Sequence, residues 1–150
     1  MALWYEDFEV GSVVTTPART VLEADIAMFA GLSGDYNPIH TDDEFAKQTE
    51  FGQRVAHGLL GLAIASGLSS RTGLLDGTVV AFLGMDEWRF LKPIKIGDTV
   101  HVKFVVESMR TVKRPGWGIV VLRSELINQK GEVVQHGEHR VMVPRRAGTF

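Results

Sequence analysis

A chain of 150 residues with 45% hydrophobic and 23% charged residues has the balance of a globular protein with enough apolar material for a real core. A formal charge of −2, without a long run of like charges, excludes the electrostatic footprint of a nucleic-acid binder. The absence of cysteine excludes disulfides, thiolate nucleophiles and cysteine-held metals.

Met1-Ala2-Leu3-Trp4-Tyr5-Glu6-Asp7 carries acids where a signal peptide needs positive charge, which reads as a cytoplasmic protein. The apolar run Leu59 to Leu68 is too short to span a bilayer, which takes about 20 residues, so no membrane partner is expected. Without a repeat or a linker-like shift in composition, residues 1–150 are expected to form one domain.

In chain order, Val13-Val14-Thr15-Thr16 and Arg19-Thr20-Val21 are short β-rich runs, and Pro17 between them favours an edge or a bend. Glu23 to Leu32 has acids at its start, apolar residues at 26, 29 and 30 and glycine toward its end, the pattern of a short amphipathic helix. Pro38 disfavours a helical backbone at Asn37, and Asp35 and Asn37 bond to nearby backbone groups, so Gly34 to His40 is predicted to be an ordered turn. A second short helix is expected from about Asp42 to Gln48, capped by Thr41 or Asp42. From Gly58 to about Ser70 the chain is apolar on nearly every face, which predicts a central helix enclosed by other elements.

Beyond Arg71 the chain turns β-rich, after the turn signal Asp76-Gly77. Strands are predicted at Val79–Leu83, Trp88–Leu91, Thr99–Val106, Gly118–Ile127 and Glu132–Val143. Alternation of Val100, Val102, Phe104 and Val106 with polar residues marks a strand with one buried face, and Asn128-Gln129-Lys130-Gly131 reads as a hairpin connection. Helices followed by an antiparallel sheet make an α+β protein.

Asp35 and His40 stand five residues apart across the proline-stiffened turn, so both can face one pocket. With reference pKa values of about 3.9 and about 6.5, such a pair supplies an aspartate base and a histidine able to serve either way. Alone, the same residues read as a self-capping turn beside a surface histidine. The helix start at His57-Gly58 offers unpaired amides and a positive dipole end, suited to an enolate-like oxygen. Gly61 and Gly67 are expected to let strands pack closely on the helix, and His57 by itself reads as a satisfied, partly buried histidine. Ser66 lies eight residues beyond Gly58, about 12 Å along a helix, and either bonds back to its own helix or holds the Asp35 carboxylate. No Gly-x-Ser-x-Gly elbow marks a hydrolytic nucleophile, because Ala63-Ile64-Ala65-Ser66-Gly67 lacks the first glycine. His40, Asp42, Asp43 and Glu44 match neither a calcium loop nor a zinc spacing, so no metal is expected. The scattered Arg71, Arg89, Lys92, Lys95, Lys113 and Arg114 read as solvated surface, with phosphates of a long ligand as the other possibility.

The segment Phe29-Ala30-Gly31-Leu32-Ser33-Gly34-Asp35-Tyr36-Asn37-Pro38-Ile39-His40 resembles the hydratase motif of MaoC-like, (R)-specific enoyl-CoA hydratases. The likeness extends through His57-Gly58 and Ser66-Gly67-Leu68 to Phe90-Leu91-Lys92-Pro93-Ile94-Lys95-Ile96-Gly97-Asp98-Thr99-Val100, roughly Val13 to Val143 in all. It implies a hot-dog fold, a long helix wrapped by an antiparallel sheet, and reversible hydration of a trans-2-enoyl thioester without a cofactor, coenzyme A being part of the substrate. Carried onto this sequence, Asp35 and His40 form the catalytic dyad, with the acid and base roles left open. Asn37 supports the turn, the Gly58 amide bonds the thioester carbonyl, Ser66 orients Asp35, and His57 joins them on the substrate side. The resemblance also implies a homodimer or larger assembly joined edge to edge. An acyl-CoA thioesterase and a non-catalytic acyl-thioester binding module are the alternatives. The loop Arg114-Pro115-Gly116-Trp117, the aromatic N-terminus and the Arg145-Arg146 tail carry no role in this likeness.

Overall fold

In the computed structural model, residues 2–113 and 116–146 are described. Arg114 and Pro115 of the loop singled out above lie outside them. A single turn at Tyr5–Asp7 leads into β1 (Val13–Thr15) and β2 (Arg19–Thr20), followed by α1 (Glu23–Ser33), α2 (Pro38–Thr41), α3 (Asp43–Lys47) and α4 (Gly58–Ser70). The remainder is β3 (Ala81–Phe90), β4 (Thr99–Thr111), β5 (Trp117–Ile127) and β6 (Val133–Pro144). After these two short strands the helices precede the four long strands of an antiparallel sheet, as the composition of the two halves predicts.

The sheet runs β1-β4-β5-β6-β3, with β2 also paired to β4, and every pairing is antiparallel. Its inner face packs on α4. The alternation along β4 delivers Val100, Val102, Phe104 and Val106 to that face, none more than 5% exposed. They join Leu60, Ile64, Ala65 and Leu68 of α4 and Ile26 of α1 in one core cluster. Burying side chains such as Leu68 and Ile26 contributes about 1.5–3 kcal/mol each.

Several boundaries differ from the sequence expectation for identifiable reasons. The runs Val79–Leu83 and Trp88–Leu91 are parts of one strand, β3, whose pairing with β6 slips between Phe82 and Gly84 and again between Asp86 and Arg89. Positive φ at Gly84 and Glu87 carries the chain through these irregularities, so the glycine and acids between the two runs interrupt the pattern without ending the strand. The strand β4 continues past Val106 to Thr111 because a bulge between Val106 and Ser108 resets its register. The predicted turn Gly34 to His40 becomes helical at Pro38, where proline occupies the first position of α2. Asp42 caps α3 by accepting from the Phe45 amide at 3.0 Å.

The central helix is not enclosed all round. Leu60, Gly61, Ile64, Ala65 and Leu68 are buried, whereas Leu59, Ala63, Ser66 and Gly67 are exposed. One sheet covers one side only, so an almost wholly apolar helix keeps a second face open. Gly61 is needed where it stands: a Cβ there would fall 2.7 Å from Ile94 Cδ1 and collide with the Gln135 amide. Gly67, expected to play the same part, has open space beside it. The Arg145-Arg146 tail is also structural, since Arg146 Nη2 holds both Asp7 carboxylate oxygens at 2.7 Å and Arg145 Nε reaches Glu6 at 3.2 Å. Among the described residues, no helix is long and apolar enough to cross a membrane.

Two substitutions separate the glycine roles. Gly61→Ala is expected to destabilise the fold by about 1–3 kcal/mol through overpacking, and Gly67→Ala to leave it unchanged or raise it by up to about 1 kcal/mol. Urea denaturation of both variants measures the difference.

Candidate active site

The site is assembled where α1 ends, α2 begins and α4 starts. Gly34, with a left-handed φ of 76°, ends α1 and donates its amide to the Ala30 carbonyl at 2.9 Å. In the next five residues, Asp35 Oδ1 accepts from the Asn37 amide and Asn37 Oδ1 from the Ile39 amide, both at 3.2 Å. These two Asx contacts hold Asp35 and the start of α2 in one rigid run.

Val55 anchors that run to the body of the protein. Its amide donates to the Ile39 carbonyl at 3.2 Å, its carbonyl accepts from His40 Nδ1 at 2.7 Å, and it forms an isolated bridge with Lys95. Arg54 reaches Glu23 Oε1 of α1 and Asp43 Oδ1 of α3, each at 2.6 Å. Those two acceptors, Glu23 first and Asp43 second, hold the guanidinium above its ordinary pKa.

The Val55 contact determines which nitrogen of His40 faces the site. A carbonyl can only accept, so Nδ1 carries the proton and Nε2 of the neutral ring presents a lone pair. His57, 3% exposed, stacks beneath it with ring centroids 3.8 Å apart and planes 28° from parallel. His57 Nε2 donates to the Asp35 backbone carbonyl at 2.9 Å, while its Nδ1 is buried without a partner among the described residues. His57 is therefore buried as expected but only half satisfied, and it backs His40 instead of lining open space. Donor atoms of Asp35, His40 and His57 all lie within 4.8 Å of one another.

The helix α4 opens beside this cluster. His57 is its N-cap and supplies no side-chain cap, and the first internal bonds run from the Leu60 and Gly61 amides to the His57 carbonyl. The Gly58 and Leu59 amides are thus left without an acceptor among the described residues. A Cβ at Gly58 would lie 2.9 Å from the Phe90 ring, so only glycine fits against that wall. Gln135, 2% exposed, holds the helix start from below: Nε2 donates to the Gly58 carbonyl at 3.0 Å and Oε1 accepts from Trp88 Nε1 at 3.2 Å.

A cavity of about 580 Å³ runs between α4 and the sheet, lined by Leu59, Leu62, Ser66, Leu75, Phe82 and Val141 among others. Its lining does not include Asp35, His40 or Gly58; it meets the cluster at Phe29, whose ring lies 5.0 Å from His57. Ser66, expected to orient Asp35, makes no hydrogen bond with it among the described residues and lines the cavity. The sheet side of the cavity carries His139 and Ser124, with His139 Nδ1 and Ser124 Oγ sharing a hydrogen bond of 3.1 Å. Burial pushes the His139 imidazole down to about 4.

Gln135, Trp88, Val55 and the pair Ser124–His139 escape a motif-based reading. The signal that marks two of them is phase: Gln135 and His139 sit in step with Val141 and Val143, so polar residues occupy positions the alternation reserves for apolar ones.

This arrangement, an antiparallel sheet packed over a central helix, defines a hot-dog protein. The same architecture superposes with a TM-score of 0.87, at 23% identity, on half of a double hot-dog protein from Mycobacterium tuberculosis, covering 98% of this chain and 46% of that one. The sequence matches the MaoC like domain over residues 7–125, and the chain belongs to that family. It is 34% identical over 143 residues to an (R)-specific enoyl-CoA hydratase of Rhodospirillum rubrum, covering 95% of this chain and 93% of the other. It is 40% identical over 110 residues to Protein MaoC of Klebsiella aerogenes, covering 73% of this chain but spanning only 32% of that protein. The unliganded R-hydratase PhaJ1 of Pseudomonas aeruginosa superposes with a TM-score of 0.80 at 34% identity, covering 97% of this chain and 88% of that one.

The depressed His139 predicts a pH response of stability. The unfolded chain takes up this proton near 6.5 and the folded chain only near 4, so stability is full above about 6.5 and falls as pH drops toward about 4. Urea midpoints measured across that window should decline, and His139→Leu should flatten the part of the decline that belongs to this residue.

Proposed function

We propose that this protein is a hydro-lyase that adds water reversibly to a trans-2-enoyl-CoA, giving an (R)-3-hydroxyacyl-CoA. The observation that carries the reading is the cluster itself: a carboxylate and a histidine lone pair, donor atoms within 4.8 Å, at the mouth of an α-helix whose first amides have no acceptor.

The chemistry follows from these groups. The Gly58 amide bonds the thioester carbonyl oxygen, which gains negative charge as a water oxygen attacks the β-carbon. That donor therefore stabilises the transition state more than the ground state. The Asp35 carboxylate and His40 Nε2 both accept from the same water and orient it. One water proton passes to the dyad as the carbon–oxygen bond forms, and the dyad delivers a proton to the α-carbon, so that the elements of water are added and none is left over. The two groups work as one coupled unit. Asn37 keeps the dyad rigid, His57 supports the His40 ring, and the cavity beyond Ser66 takes the acyl chain. No cofactor enters the scheme. A metal reading fits less well, because two histidines on one ion converge on it with their edges, whereas His40 and His57 stack face to face. The reading places the enzyme in the cytoplasm, where coenzyme A thioesters are made and used.

Spectrophotometry of purified protein with crotonyl-CoA and longer or branched trans-2-enoyl-CoA esters tests it, following loss of conjugation and release of free thiol together. Loss of conjugation without thiol is expected; thiol release would instead make the protein a thioesterase, and neither signal with tight acyl-CoA binding would make it a binding module. Asp35→Asn and His40→Gln should each lower kcat about 10²–10⁴-fold with the circular dichroism spectrum unchanged.

We also propose a homodimer. The strand β3 is a sheet edge, and Val79, Val80, Phe82, Leu83, Phe90 and Leu91 on or beside it are exposed large hydrophobics. An edge of that composition calls for pairing, and a second copy of β3 supplies it symmetrically. Sedimentation equilibrium should report twice the 16.6 kDa chain mass, and Leu83→Glu should shift the population toward monomer.

A further inference from the structure

The inner face of the sheet, where it packs on α4, is apolar along β4 and almost so along β5 and β6. Gln135, Ser124 and His139 are the polar exceptions among the described residues of that face on β5 and β6. Gln135 is accounted for by the Gly58 carbonyl and Trp88. Ser124 and His139 bond only to each other, at 3.1 Å, and both line the cavity. Ser124 is 2% exposed, the Phe82 ring lies 6.1 Å from the His139 ring, and Val102 and Val141 complete the wall. A hydroxyl and an imidazole in such a place cost stability that two aliphatic side chains would not. His139 Nε2, moreover, has no partner among the described residues.

We infer that Ser124 and His139 form a specificity element that recognises an uncharged hydrogen-bonding group, a hydroxyl or an oxo oxygen, on the acyl chain of the substrate. The inference rests on the hydratase reading for the orientation of that chain, thioester toward Gly58.

Position supports it. Gln135 marks the thioester end through its bond to Gly58, and His139 lies four residues further along β6, about 13 Å at 3.3 Å per residue. The pair therefore meets the middle or distal part of a medium chain, far beyond the β-carbon where water adds. The charge state supports an uncharged group. Burial keeps His139 neutral near pH 7, so it offers a hydrogen bond and not a counter-ion, and the Asp76 carboxylate lining the same cavity disfavours an anionic tail. A polar substituent arriving at this wall is stripped of water, and Ser124 and His139 are the polar groups of the sheet wall that replace the lost hydrogen bonds, whereas Ser66, Ser69, Ser70 and Asp76 lie on other parts of the lining. A site of that kind discriminates strongly against a chain lacking the group, because its own polar atoms are then left unpaired.

Calorimetric titration of the full chain with saturated medium-chain acyl-CoA esters tests the inference, comparing a plain chain with chains bearing a hydroxyl or oxo group at successive carbons beyond the β-position. At one or two positions the substituted ester should bind at least about tenfold tighter than the plain one, about 1.4 kcal/mol. Ser124→Ala and His139→Leu should each abolish that preference while leaving hydration of crotonyl-CoA, too short to reach the pair, unchanged. Equal binding at every position, or a preference that persists in both variants, would overturn it. Crotonyl-CoA hydration by the unaltered protein separates the two readings. Hydration without the binding preference sinks this inference alone, and the preference without hydration of any enoyl ester sinks the catalytic reading alone.

Discussion

Much of this molecule depends on how one helix begins. The first turn of α4 leaves its first amides without an acceptor among the described residues while its carbonyls and side chains are held against the sheet, and a helix start left to fray would keep neither arrangement. Gln135 resolves the conflict from below by gripping the Gly58 carbonyl, and its own amide oxygen is satisfied by Trp88. Phe90 closes against Gly58 so tightly that a side chain would not fit, and Ile94 and Gln135 do the same at Gly61. Because these contacts come from β3, β6 and the segment between β3 and β4, the helix start is positioned by the whole far half of the sheet.

The second set of constraints acts on protons. Two imidazoles stacked 3.8 Å apart each donate to a backbone carbonyl, His40 to Val55 and His57 to Asp35. Backbone carbonyls cannot change role, so they fix the tautomers more firmly than side chains would. The result is a histidine whose second ring nitrogen is left available in the cluster that includes the carboxylate following α1, without any charge partner being buried to orient it. Val55 ties this arrangement to Lys95 and Ile39, and Arg54 ties it to α1 and α3. The turn that carries Asp35 and His40 is largely exposed, yet its backbone has little freedom.

The cavity divides the molecule into a polar mouth and an apolar interior, and the division follows the open face of α4. A sheet of this curvature covers one side of the helix, and the exposed side of Leu59, Ala63 and Ser66 becomes wall. The space is apolar because the helix and the strands that bound it are, with Ser124 and His139 as the interruption deep inside. The same economy leaves the β3 edge bare, with its apolar side chains in water in a single chain.

By itself the sequence determined most of the element types, the order of helices before the long strands and the hairpin that joins β5 to β6, because period-two alternation and turn chemistry are local properties. It also placed Asp35, Asn37 and His40 on one stiff turn, since proline and the Asx contacts act within a few residues. Only the tertiary structure decided what those residues face. The tautomer of His40 is set by a carbonyl fifteen residues away, the helix start by a glutamine seventy-seven residues away, and the cavity by strands that meet α4 from both ends of the β-rich half. It also decided that the two runs flanking Gly84 are one bulged strand and that α4 is covered on one side only. Such features depend on groups far apart in the chain, and no local pattern in the sequence carries their distance.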